Sequence, residues 1–99
     1  MKRESVFRRK VNEDLKKLKN GFWMSIQQRA LRGDPDKIGV LRGEFIALEL
    51  KAHLSAEVRE LQRYKLERIR EAGGFAEIVS PENWEEIFVI LESKSRDKI

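Results

Sequence analysis

The chain has 99 residues, 38% of them charged, with a formal net charge of +4 and no cysteine. That length makes one small domain burying roughly 65% of its unfolded surface. The absence of cysteine excludes disulfides and thiolate metal sites; no run approaches the ~20 apolar residues that span a bilayer, and no apolar stretch follows Met1-Lys2-Arg3, so a cytoplasmic protein is expected.

Residues 4–19 place Phe7, Val11, Leu15 and Leu18 on one stripe at helical spacing. This element is also the basic part of the chain. Residues 1–20 carry eight Lys or Arg against three acids, whereas the remainder carries thirteen against fourteen. A basic helix on a near-neutral body suits a polyanion such as nucleic acid, or is a solvated face. Asn20-Gly21 supplies the helix stop, glycine being able to take the left-handed conformation that ends helices. Phe22 to Gln28 reads as a strand. Arg32-Gly33-Asp34-Pro35 is a turn by composition. Lys37 to Leu41 and Glu44 to Lys51 are two strands joined by a tight Arg42-Gly43 hairpin. Ser55 to Ala72 gives a second helix with Val58, Leu61 and Ile69 on one face, closed by Gly73-Gly74. Phe75 to Val79 is a fourth strand. Ser80 and Pro81 open a last helix to about Glu92, and residues 93–99 form a polar tail. The order is αβββαβα, in one domain over residues 1–92.

Both long helices place polar groups where apolar ones are expected. At 100° per residue, Glu4 falls at the centre of the Phe7 stripe, and Gln62 and Lys65 fall within that of Val58. A buried carboxylate needs a partner, whereas one in a first helical turn is solvated and favoured by the helix dipole. A lysine can extend its ammonium outward from an apolar stripe. Two inward-facing polar sets point to a polar pocket between helices and sheet.

The chemistry concentrates at Asp36 and Glu49-Leu50-Lys51. Side chains at i and i+2 of a strand share a face, so Glu49 and Lys51 emerge together while Ile46, Leu48 and Leu50 point the other way. Asp36 can meet them from the neighbouring strand. Taken alone, Asp-Pro-Asp is a common turn and acid-x-Lys a common charged strand end. Together they follow a buried run, Phe45-Ile46-Ala47-Leu48, and charge ending such a run marks a site.

Gly33-x-Pro35-Asp36, the hairpin, Glu49-x-Lys51, Gln62 and the glycine eleven residues beyond it, Gly73, resemble the PD-(D/E)XK nuclease superfamily, in particular its small stand-alone VRR-NUC domains of phages and bacteria. The resemblance spans roughly residues 4–91, and Glu4 fits the glutamate those domains carry early in their first helix. The chain departs from that pattern before Gln62, where many members have Ser/Thr-Pro and this one reads Ser55-Ala56-Glu57-Val58-Arg59-Glu60-Leu61. The resemblance implies a restriction-endonuclease-like core, a mixed four-stranded sheet flanked by helices. It also implies Mg²⁺ or Mn²⁺ held by Asp36, Glu49 and the Leu50 carbonyl, with Glu4 reaching the metal. Lys51 would orient or deprotonate the attacking water and Gln62 would hold that water or Lys51. Arg8, Arg9, Arg29, Arg32 and Lys65 become candidate phosphate contacts, and His53 reads as a surface residue. The activity implied is structure-selective DNA endonuclease, on Holliday-junction-like or flap DNA, as a homodimer. A nicking or single-strand-directed phage nuclease, a catalytically silent DNA-binding module and a non-enzymatic scaffold are the alternatives.

Overall fold

A computed structural model describes residues 3–26 and 35–96, with side chains from Ser5 onward. The elements are α1 (Arg3–Lys16), β1 (Gly21–Ser25), β2 (Lys37–Leu41), β3 (Glu44–Leu50), α2 (Glu60–Glu71), β4 (Phe75–Val79) and α3 (Trp84–Ser95). The fold is α/β, with one mixed sheet in the order β1-β2-β3-β4. The first three strands form an antiparallel meander and β4 joins β3 in parallel, a pairing that requires the crossover α2 provides. No helix among the described residues is long and apolar enough to cross a membrane.

The apolar stripe of α1 buries as its spacing requires. Phe7, Val11, Leu15 and Leu18 pack with Trp84, Ile87 and Leu91 of α3 over Leu41, Ile46, Leu48, Leu50 and Val79. Each such Leu, Ile or Val adds about 1.5–3 kcal/mol by leaving water. Phe7 meets Trp84 edge-on at 6.3 Å, a geometry favoured by the ring quadrupoles. Among the described residues the other sheet face carries only α2, through Leu66 and Ile69 with Ala47, Ala76, Ile38 and Ile78. β3 is therefore covered on both sides, and Ile46 to Leu50 are all buried.

The helix ends differ from expectation at identifiable places. Asn20, with φ of 63°, takes the left-handed conformation that had been expected of Gly21; asparagine tolerates it. The α2 helix begins at Glu60 rather than Ser55 because Arg59 is extended and its N–H donates to Gln62 Oε1 at 3.1 Å, which fixes the first turn there. Leu61, placed on the buried stripe by periodicity, is exposed. At α3, the Ser80 N–H donates to Asn83 Oδ1 at 2.8 Å and the Glu82 N–H to Ser80 Oγ at 3.1 Å. Those bonds build a separate turn, and the helix starts at Trp84. It runs on to Ser95, past the expected end at Glu92, held by Lys94 on Glu44 at 3.0 Å and by Asn20 Nδ2 donating to the Ser95 carbonyl at 2.9 Å. The Arg42-Gly43 hairpin has φ of 48° and 86°, the paired positive values of a turn matched to strand twist.

Candidate active site

The antiparallel register sets the N-terminal end of β2 beside the C-terminal end of β3, which brings Asp36 to Glu49. Asp36 is anchored twice. Its main-chain carbonyl accepts from Ile26 N–H at 2.9 Å, and its Oδ2 accepts from Leu50 N–H at 2.9 Å. On β3, Ile46, Leu48 and Leu50 enter the core beneath α1 and α3, so alternation sends Glu49 to the α2 face. Lys51 follows, its N–H donating to Val79 O at 2.8 Å.

Gln62 descends from the first turn of α2 and joins the two. Its Nε2 donates to Glu49 Oε2 at 2.7 Å, and its Oε1 accepts from Lys51 Nζ at 3.3 Å. Lys51 Nζ also lies 3.5 Å from Glu49 Oε2. Asp36, Glu49, Lys51 and Gln62, separated by up to 26 positions in sequence, thus form one cluster. Arg8 of α1 reaches it as well, with Nη2 3.8 Å from Asp36 Oδ1.

The electrostatics are unusual at Glu49. The residue is only 4% exposed, and its Oε1 is buried with no hydrogen-bond partner. Burial and then the neighbouring charge of Asp36 push its pKa up to about 7, against the opposing pull of the Lys51 ammonium. A carboxylate with one satisfied and one orphaned oxygen fits a hard divalent cation, which would supply the missing partner and reverse the shift. Among the described residues no third His, Cys, Asp or Glu joins the cluster. Two carboxylates with a main-chain carbonyl and waters are a set that magnesium accepts, since it keeps much of its hydration.

Other candidate residues fall elsewhere. The Glu4 side chain, Gly33, Asp34, Arg29 and Arg32 lie outside the described residues. Leu50 enters the cluster through its amide. Arg9 is exposed on α1 and Lys65 half-buried on α2. His53 is exposed, its Nδ1 2.8 Å from Ser55 Oγ. The sequence reading passed over two features. Arg59 steadies Gln62 through its amide, and a glutamine at the third helical position is the signal for such a bond. Asp14 lies at the edge of the α1 stripe and is buried, accepting from Trp84 Nε1 at 2.8 Å; the wheel that found Glu4 would have found it. Burial would raise the Asp14 pKa, but hydrogen bonds from Trp84, Lys10 and Lys17 outweigh that and hold it below the ordinary value.

No family model, curated protein or solved structure matches this chain, so its chemistry rests on the groups themselves.

Proposed function

We propose that the chain is a divalent-metal-dependent nuclease that hydrolyses phosphodiester bonds of DNA, with a restriction-endonuclease-like core. The observation that carries this reading is the buried, unpartnered Glu49 Oε1 beside Asp36, Lys51 and Gln62. Asp36, Glu49 and the Leu50 carbonyl would hold Mg²⁺ or Mn²⁺, with Glu4 as a further ligand. The ion would polarise the phosphate and lower the pKa of a bound water.

The chain's own groups have distinct tasks. Lys51 sets its Nζ 3.5 Å from Glu49 Oε2, where it would offset charge gathering on a phosphate and orient a water. Gln62 fixes both Glu49 and Lys51 in one geometry, so neither has to reorganise. Asp36 is locked by the Leu50 amide, which leaves its Oδ1 toward Arg8. Arg8 and the basic face of α1 draw in the polyanion, with affinity that falls as salt rises. Branched or flap DNA is the proposed substrate and a homodimer the proposed assembly, since two-fold symmetry supplies a second site for a second strand.

The test is incubation with Mg²⁺ or Mn²⁺ and a panel of duplex, single-stranded, flap and four-way DNA. Cleavage is expected, lost by at least about a hundredfold in Asp36→Ala and Lys51→Ala. Cleavage unchanged in those variants would sink the assignment. Tight binding without cleavage of any substrate would leave a DNA-binding module.

A further inference from the structure

β1 is the outermost strand of the sheet, and its sequence, Gly21-Phe22-Trp23-Met24-Ser25, carries no charge and no proline. Native edge strands ordinarily carry such residues, or a bulge, to discourage pairing with another chain. The main-chain polarity of β1 follows from its neighbours. Ile26 N–H donates to Asp36 O, and Asn20 O accepts from Arg42 N–H, so even-numbered residues turn their polar groups toward β2. Gly21, Trp23 and Ser25 turn theirs outward. Among the described residues, no main-chain hydrogen bond reaches that outer side.

The open face of the sheet is equally bare at this edge. Phe22 is 66% exposed and Met24 52%, with Val40 and Phe45 continuing the exposed apolar surface across β2 and β3. These four residues leave on the order of 400 Å² to solvent, within the range of the largest apolar patch a monomer carries. None of the four is charged, so an identical patch meets no repulsion on this face; the lysines of the edge, Lys16 and Lys37, lie on the helix side. On the helix side the same edge borders a cavity of about 460 Å³ lined by Asn12, Leu15, Lys16, Gly21, Trp23 and Lys37, which leaves room for the flank of an incoming strand.

From the bare edge and the uncharged patch we infer that β1 is the docking edge for a second copy of this chain, joined antiparallel about a two-fold axis at Trp23. In that register Gly21 faces the partner's Ser25, and Trp23 faces its own copy. Every outward N–H and C=O of the strand is then paired, giving six hydrogen bonds and one continuous eight-stranded sheet. Phe22 comes opposite the partner copy's residue 24, so the two apolar patches merge. Both Glu49 clusters lie on the same face of the joined sheet, because the axis is normal to it. The inference rests on the homodimer of the proposed function and gives it an interface. Its tests use neither DNA nor metal, so a monomer that still cleaves DNA would overturn the edge pairing and leave the cleavage site standing.

Sedimentation equilibrium of the wild-type chain between about 1 and 100 µM is expected to show twice the 11.7 kDa mass of the chain. A monomer throughout would overturn the inference. Phe22→Asp, at an exposed position that leaves the fold intact by circular dichroism, is expected to weaken the dimer at least tenfold; an unchanged dimer overturns it. The absence of native cysteine permits a test of register. Residues 22 and 24 of opposing copies fall in a non-hydrogen-bonded pair, with Cα atoms about 4.5 Å apart, within disulfide range, while like positions lie beyond about 7 Å. Phe22→Cys and Met24→Cys should each stay unlinked alone under mild oxidant and form a disulfide dimer when mixed. Linking in the single variants, or none in the mixture, overturns the pairing. A monomer whose Phe22→Ser variant loses DNA binding would assign this face to nucleic acid instead, and the inference would fall.

Discussion

Replacing Glu49 by glutamine isolates the energetics of the cluster. An ordinary glutamate titrates near 4.5, and burial together with Asp36 pushes Glu49 to about 7. Each tenfold change in proton affinity is 1.36 kcal/mol, so the displacement corresponds to about 3 kcal/mol. The sign follows from which state holds the proton. Between pH 4.5 and 7 the folded chain keeps it and the unfolded chain has lost it, so stability falls as pH rises through that window and levels off above it. Glutamine has no proton to lose and still accepts from Gln62 Nε2. In chelator, Glu49→Gln should therefore gain on the wild type by about 3 kcal/mol between pH 4.5 and 8, roughly 12–24 °C in Tm for a chain this size. Urea unfolding at half-unit pH steps measures the difference directly, and cancels the acid groups both proteins share. A difference flat with pH would refute the reasoning, because it would mean Glu49 ionises at the same pH in both states.

Three other substitutions probe other parts of the fold. Gln62→Leu removes the group that holds both Glu49 and Lys51; single-turnover cleavage should slow by about 10–100-fold without vanishing, and an unchanged rate would remove Gln62 from the machinery. Asp14→Leu leaves Trp84 Nε1 buried without an acceptor, and should cost about 2–4 kcal/mol in urea unfolding at pH 7. Because the Asp14 pKa is held low, the charge-dependent part of its contribution is present above the ordinary carboxylate pKa and lost as pH falls through the lowered one, so the gap between wild type and variant should narrow in acid. Gly39→Ala would set a methyl 2.4 Å from the Phe22 carbonyl and the Trp23 ring, and should lower stability by about 2–3 kcal/mol.

The elements were legible where the pattern is periodic and the ends are marked. The α1 stripe, the Arg42-Gly43 hairpin and the alternation of Phe45 to Lys51 each carry their own signal, and β2, β3 and β4 lie where those signals put them. The start of α2 was not legible. Residues 55–59 have helix-like composition, but the side chain of Gln62 binds the Arg59 amide, a competition that periodicity does not see. Leu61 misled for a related reason: α2 makes its apolar contact with the sheet through Leu66 and Ile69, so its buried face is narrower than its apolar content. Within the cluster, the facing of Glu49 and Lys51 followed from strand period alone. The approach of Gln62 depends on where the helix begins, and the burial of Glu49 depends on β3 being covered on both faces; neither is written locally.

The parallel pairing of β3 with β4 has a consequence for how the chain acquires its fold. β1, β2 and β3 are neighbours in sequence and their contacts close short loops, whereas Ile46 meets Phe75 across 29 residues. Closing the longer span carries the greater entropic cost, so the meander should form first and the α2–β4 unit dock onto it. Pulsed hydrogen exchange during refolding should then protect β2–β3 amides before the Lys51 amide, which bonds to Val79; simultaneous protection would remove this ordering. A newly made chain would pass through a stage in which Asp36 is already locked to Leu50 while Glu49 still stands in water, ordinary in its acidity and without Gln62. The cluster would gain its unusual proton affinity only at the end of folding, so the immature chain would lack the buried, unpartnered carboxylate oxygen on which the proposed metal site rests.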